Sequence, residues 1–284
     1  MPENVQPIRV SIICNAYNHS KYIREALDGF MMQKTSFRFE VLVHDDASTD
    51  GTADIIREYE AKYPEVIKPI YQTENQYSKG VKISAQYQYP RVSGEYVAFC
   101  EGDDYWTDPM KLQKQVDLLD MHPDVDICSH AHFQIDAQTG GVIFHCIRRN
   151  KTDIIPTEEI ILGGGGYVAT ASLLYRSALL KKIPPFRQMI GIDYTIQVHG
   201  ALRGGMLYIP DEMSAKRVNV PASWTTRMAG DKKRKRAHKD RMYKMLCQMD
   251  RDTEGRYHKA IAKVKARTRL EKYLLPLRGM LRRK

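Results

Sequence analysis

No run of about 18 apolar residues occurs in this 284-residue chain, so no segment reads as a membrane-spanning helix. The opening MPENVQPIRV lacks the basic start and apolar stretch of a secretory signal, which predicts a cytoplasmic location. Cysteine is sparse: Cys14, Cys100, Cys128, Cys146 and Cys247 form no CxxC pair and no even framework. That scatter predicts reduced, buried thiols. His130 and His132 alternate without Cys or carboxylate partners at ligand spacing, so the histidines suggest no zinc site. Neither GxGxxG nor GxxxxGK[ST] is present, which removes the main support for dinucleotide and P-loop readings. GxSxG and paired Cys/His motifs are also missing, which leaves a hydrolase unsupported. No period of about 20–50 residues repeats, which argues against a solenoid.

What is present is an ordinary soluble composition, 43% hydrophobic and 27% charged, with length for one large α/β domain plus an appendage. The net charge of +10 divides unevenly. Residues 223–284 carry 21 Lys or Arg against 6 Asp or Glu, whereas residues 1–222 carry 23 against 28. The body is mildly acidic and the tail strongly basic, which marks the tail for an anionic surface. This shift sets the expected boundary, a domain over 1–222 followed by a basic helical region over 223–284.

The first hundred residues alternate strand and helix. Val10–Cys14, Phe39–His44, Val66–Tyr71 and Glu95–Cys100 read as strands, with helices over Lys21–Met32, Thr52–Tyr63 and Ile83–Val92 between them. Such alternation predicts a mostly parallel, twisted α/β sheet flanked by helices. A helix opening at Asp108-Pro109 and running to Met121 follows, then strands at Val125–Ile135 and Val142–Cys146 around a turn at Thr139-Gly140-Gly141. Gly163–Gly166 reads as a loop, and helices are expected near Ser177–Ile183 and Tyr194–Leu202.

In open α/β sheets, ligands bind beyond the carboxyl ends of the strands. Three strands here end in polar text: Asn15-Ala16-Tyr17-Asn18, Asp45-Asp46, and Glu101-Gly102-Asp103-Asp104. Paired carboxylates after an apolar strand are poor packing residues and point to a cation or to ligand donors. Capping accounts for Asp50 and Asp108 but not for Asp103 and Asp104, which lie several residues before their helix. The alternative for that pair is an ion pair with Lys111 or Lys114.

The stretches VSIICNAYNHSKYI, EVLVHDDASTDGT and AFCEGDDYWTDPMKLQKQ, in this order and spacing, resemble the inverting family 2 glycosyltransferases of GT-A fold over roughly residues 8–220. The resemblance implies a nucleotide-sugar donor, with Asn15 and Tyr17 lining base and ribose and Asp46 accepting from a uracil imide. It implies that Asp104, helped by Asp103, binds manganese or magnesium, and that Glu101 shares the ribose or metal shell. Thr170 and Ser172 are expected to donate to sugar hydroxyls, and Arg217 to meet a phosphate. Asp193, in Ile190-Gly191-Ile192-Asp193-Tyr194, matches the base that deprotonates the acceptor; it also reads as a helix cap, and Asp211 and Glu212 stand in reserve. Trp106 and Trp224 offer either sugar-facing rings or packing.

The tail adds a solvated run, DKKRKRAHKDR, and leucines at Leu270, Leu274, Leu277 and Leu281 among basic residues. Such a helix reads as a peripheral membrane element at an anionic inner surface, suited to a glycan or lipid-linked acceptor. The competing expectation is that the leucines pack on the body or in a homo-oligomer. Nucleic acid fits poorly, because few aromatics interleave the charges. Two rival functions stay open at this point, a metal-dependent nucleotidyltransferase and a non-enzymatic membrane- or nucleic-acid-binding module.

Overall fold

The computed structural model describes residues 6–191, 193–221, 223, 226, 228 and 231–274; Trp224, Leu277 and Leu281 lie outside them. Strands β1 (Ile8–Ala16), β2 (Arg38–Asp45), β3 (Ile67–Tyr71) and β4 (Tyr96–Phe99) run parallel in the order β3-β2-β1-β4. Helices α1 (Ile23–Met31) and α2 (Thr52–Lys62) make the crossovers that parallel neighbours require. The period-2 alternation of the strands divides two cores. Val10, Ile12 and Cys14 of β1 and Tyr96 and Ala98 of β4 pack on one face, while Ile13, Val97 and Phe99 pack on the other.

Between β3 and β4 the expected helix over Ile83–Val92 is replaced by a π turn at Ser84–Gln88 and a 3-10 turn at Tyr89–Arg91. Pro90 lacks a backbone donor and restrains the residue before it, so no α-helix passes through. After β4 come β5 (Tyr105–Trp106) and α3 (Lys111–Met121); the Asp108 carboxylate accepts from Met110 N at 2.7 Å in the turn before that helix, which begins at Lys111 rather than at Asp108-Pro109 and has no side-chain cap. The hairpin β6 (Ile127–Asp136) and β7 (Val142–Cys146) turns at Gly140, whose φ of 70° suits glycine. Then follow β8 (Asp153–Ile155), α4 (Thr157–Gly163), β9 (Leu174–Arg176), α5 (Pro185–Met189), α6 (Asp193–Ala201) and β10 (Met206–Val218). The sequence reading passed over α4, and the helix expected near Ser177–Ile183 is a 3-10 turn, Ser177–Lys181.

The sheet continues β4-β9-β6-β10-β5, with β9 antiparallel to both of its neighbours and β10 parallel to β6. Helices α1, α2 and α3 cover the first core. The second core lies under α4, α5 and α6 and is completed by α7 (Lys232–Asp252) and α8 (His258–Leu274). Met245, Leu246 and Met249 of α7 and Ile261 and Val264 of α8 are buried there beside Ile13, Phe186 and Tyr194. The buried side of α8 is Ala260, Ile261, Val264 and Thr268, so Leu270 is not part of a packed leucine stripe; it is exposed. No helix among the described residues is long and apolar enough to cross a membrane.

Candidate active site

Main-chain hydrogen bonds draw the three polar strand ends together. Asp46 N donates to Ala16 O at 3.0 Å, and Gly102 N donates to Asn15 O at 3.0 Å. Asn15 Nδ2 then reaches Glu101 Oε1 at 3.4 Å and Ser84 Oγ at 3.2 Å. The turn after β4 is closed by Asp104 N on Glu101 O at 3.0 Å. Gly102 is closely packed: a Cβ there would lie 2.9 Å from both His19 Nδ1 and Ile23 Cδ1, and those side chains would have to shift. Asp46 is buried, and its two carboxylate oxygens accept from Gln76 N at 2.8 Å and Tyr77 N at 3.0 Å. Next to it Ala47 holds φ 62°, a left-handed conformation costly for a residue with a Cβ. Tyr17 is exposed at the rim.

Asp104 is almost fully buried, and loss of water, followed by the charge of Asp103, pushes its carboxyl up to about 8. Arg217 works against that rise: its backbone N donates to Asp104 Oδ1 at 2.7 Å. The Arg217 guanidinium is itself committed, to Asp103 O at 2.8 Å and Glu25 Oε1 at 2.7 Å, and lies over the rings of Tyr22 and Tyr105. Glu101 also rises to about 8, from lost hydration and then from the fields of Asp103 and Asp193. Asp193 thus stands close enough to act electrostatically on the acidic cluster, although it is carried by α6 and lies exposed at that helix's start. Neither lysine proposed as an ion-pair partner meets Asp103 or Asp104. Lys111 is buried, donates to Gln115 Oε1 at 2.7 Å and sits 3.9 Å over the Trp106 ring, and burial lowers it to about 7. Lys114 pairs with Asp108 and Asp211.

Thr170 is buried in a 3-10 turn, Thr170–Ser172, which Trp106 ties to β5 through Nε1 on Ala171 O at 2.9 Å. Trp106 is packed against Phe30 and carries no sugar-facing surface, and the Ser172 hydroxyl is spent on Ala169 O at 2.6 Å. Of the reserve bases, Asp211 is paired with Lys114 and Glu212 with His145 at 2.9 Å. Sequence reasoning missed His19, Ser84 and Glu25. His19 follows the first motif and was findable, whereas Ser84 reaches Asn15 from 69 residues away and Glu25 reaches Arg217 from the far half of the sheet.

Several buried polar atoms of this region lack a partner: Asn15 Oδ1, His19 Nδ1 and Asp45 Oδ1. Unsatisfied groups of this kind are costly unless a ligand completes them. No three His, Cys, Asp or Glu side chains among the described residues form a self-contained metal cage. Two adjacent carboxylates that repel each other, one of them shielded from water, still fit a hard divalent cation, because magnesium takes one or two carboxylates plus phosphate oxygens and water.

Residues 11–181 match the family model described as Glycosyl transferase family 2. An uncharacterized protein of Mycobacterium tuberculosis is 36% identical over 216 residues, which is 76% of this chain and 60% of that protein, so the chain spans about three-fifths of that relative's length. Among solved structures, Staphylococcus aureus TarS 1–349 in complex with UDP-GlcNAc superposes with a TM-score of 0.65 at 21% identity, covering 86% of this chain and 67% of TarS. The mannosyltransferase PcManGT of Pyrobaculum calidifontis, in complex with GDP-Man and Mn2+, gives 0.57 at 19% identity over 95% of this chain and 77% of that one. These likenesses establish a GT-A-like fold, and with the family match over residues 11–181, the chain belongs to glycosyl transferase family 2.

Proposed function

We propose that the chain moves a sugar, with inversion, from a nucleoside-diphosphate sugar to a glycan or lipid-linked acceptor in cell-surface polysaccharide synthesis. The donor of choice is a UDP-sugar, and hexosyl or N-acetylhexosaminyl transfer is the reaction type. The observation that carries the reading is the acidic set Glu101, Asp103 and Asp104, gathered at the strand ends with Asp193 within its field. The solved neighbours' nucleotide-sugar complexes support it.

In this reading Asn15, Tyr17 and Asp46 hold base and ribose, Glu101 shares the ribose shell, and Thr170 faces the donor sugar. Asp104, with Asp103, would hold manganese or magnesium against the diphosphate, and the bound cation stabilises negative charge on the departing nucleotide. Arg217 fixes the Asp103–Asp104 step from behind, and a phosphate contact would use guanidinium donors not already given to Asp103 and Glu25. Asp193 takes the proton of the acceptor hydroxyl as its oxygen bonds the anomeric carbon and the bond to the diphosphate breaks. The C-terminal region associates peripherally with an anionic membrane on the cytoplasmic side, where a lipid-linked acceptor resides.

Thermal shift with UDP-, GDP- and dTDP-sugars in manganese tests the reading, since a specific ligand stabilises the fold. A UDP-sugar should raise the midpoint only when the metal is present. Stabilisation by nucleoside triphosphates with release of pyrophosphate would instead assign a nucleotidyltransferase.

A further inference from the structure

The α7–α8 hairpin brings the first turns of α7 and the last turn of α8 to one end. Lys239 pairs with Glu271 and Lys272 with Asp240, and Arg269 donates to the Tyr243 hydroxyl and lies over its ring. Asp231 is held by Arg234 at 3.1 Å. The carboxylates of this end are therefore already neutralised. Lys232, Lys233 and Arg236 are exposed and have no carboxylate partner among the described residues. On the other helix of the hairpin, flanking the Lys239–Glu271 and Lys272–Asp240 pairs, Leu270 is 59% exposed and Tyr273 74%, both off the buried side of α8.

The same end is joined to the site. One turn before Leu270, Arg267 donates to Leu162 O at 3.0 Å, where α4 gives way to the glycine loop. Gly165 of that loop lies against Tyr194, the neighbour of Asp193. The hairpin end is thereby linked, through the glycine loop, to the helix that carries Asp193.

We propose that this hairpin end docks on an anionic bilayer, with Lys232, Lys233 and Arg236 facing the headgroups and Leu270 and Tyr273 entering the interface. The inference rests on the membrane reading given above and assigns it to particular residues. Uncompensated cations fit a negative surface, and a leucine and tyrosine side by side fit the boundary between headgroups and chains. Nucleic acid would use the charges but leave Leu270 without a partner.

Co-sedimentation of the full chain with neutral phosphatidylcholine vesicles, and with vesicles holding about one-third phosphatidylglycerol, is the test. The wild type should pellet with the anionic vesicles only, and less so in high salt. Lys232→Glu/Lys233→Glu/Arg236→Glu should weaken binding about tenfold or more, because each basic residue near such a surface contributes several-fold. Leu270→Ser/Tyr273→Ser should remove the binding that survives high salt. All five side chains are exposed, so unchanged melting curves are expected of both variants. If the wild type binds anionic vesicles and both variants bind equally well, the membrane reading survives and this assignment fails. If the wild type ignores both vesicles, or binds duplex DNA in their place, the membrane reading fails with it.

Discussion

β1, β2 and β4 run parallel, and each is followed closely by its own polar cluster; Ser11, Glu40, His44 and Asp45 are the buried polar residues among their apolar ones. In β6 and β10 the buried positions include Ser129, His130, His132 and Ser214, the pairing is mixed, and β10 slips register twice against β6. The first half places the residues assigned above to the donor by short-range rules, strand then cluster then helix. The second half delivers Arg217 and Asp193 to the same place only through long-range packing, closed by α7 and α8. The residues proposed to hold the nucleotide thus sit on the locally determined half. The candidate base sits on the half that depends on the whole chain.

That contrast can be broken at several strengths. Ending the chain at Pro221 should have the largest effect, because it strips Met245, Leu246, Met249, Ile261 and Val264 from the second core. At about 1.5–3 kcal/mol for each buried side chain, the loss rivals a net stability of about 5–15 kcal/mol. The expected product is insoluble or lacks a cooperative thermal transition, and a sharp melt near the full chain's would show that the sheet holds without the last two described helices.

Asp104→Asn comes next. It should abolish transfer while keeping an acceptor for Arg217 N. It should also alter stability in a defined direction. Glu101 and Asp104 titrate near 8 when folded, above their ordinary carboxyl values, so the folded state retains protons that the unfolded chain has released. Their contribution is fully present below about pH 4 and is lost as pH rises through 8. In chelator, melting points between pH 5 and 8.5 should fall more steeply for wild type than for Asp104→Asn; parallel curves would remove this account.

Asp193→Asn should lower kcat roughly 100-fold or more with donor affinity nearly unchanged, as measured by steady-state kinetics and calorimetry. Near-normal turnover would return the role to Asp211 or Glu212. Asp46→Ala should weaken UDP binding by about 1.5–3 kcal/mol in calorimetry, from the lost charged acceptor and the freed Gln76 and Tyr77 amides. The smallest effect belongs to Asn219→Ala. It loses a 2.6 Å bond to Asp136 at the surface and puts alanine at φ 60°, a conformation that asparagine tolerates better, so stability should fall by about 1 kcal/mol in denaturant melts.

Apart from Ile83–Val92 and the short β5, the strands and helices up to Met121 were legible because hydrophobic period and punctuation agree there. The acidic positions were legible because a run such as Glu101 to Asp104 has no packing rationale. Illegible were the packing partners. Nothing near Arg217 in sequence announces Glu25, and nothing in the basic run after Asp231 announces that Met245 and Met249 will be buried. Ile83–Val92 failed for a local reason, since Pro90 outweighs an otherwise helical stretch.

The second core also sets a timetable for synthesis. Ile13 and Val264 are packed into one cluster, yet a ribosome adding about 5–20 residues per second makes them on the order of 10 to 50 s apart. Once Phe99 has been made, the apolar face of Ile13, Val97 and Phe99 waits first for α4, α5 and α6 and last for α7 and α8 to complete its cover. A nascent chain in this state is a natural client for a holding chaperone. The protein's yield in a cell should therefore follow how quickly its last two helices emerge.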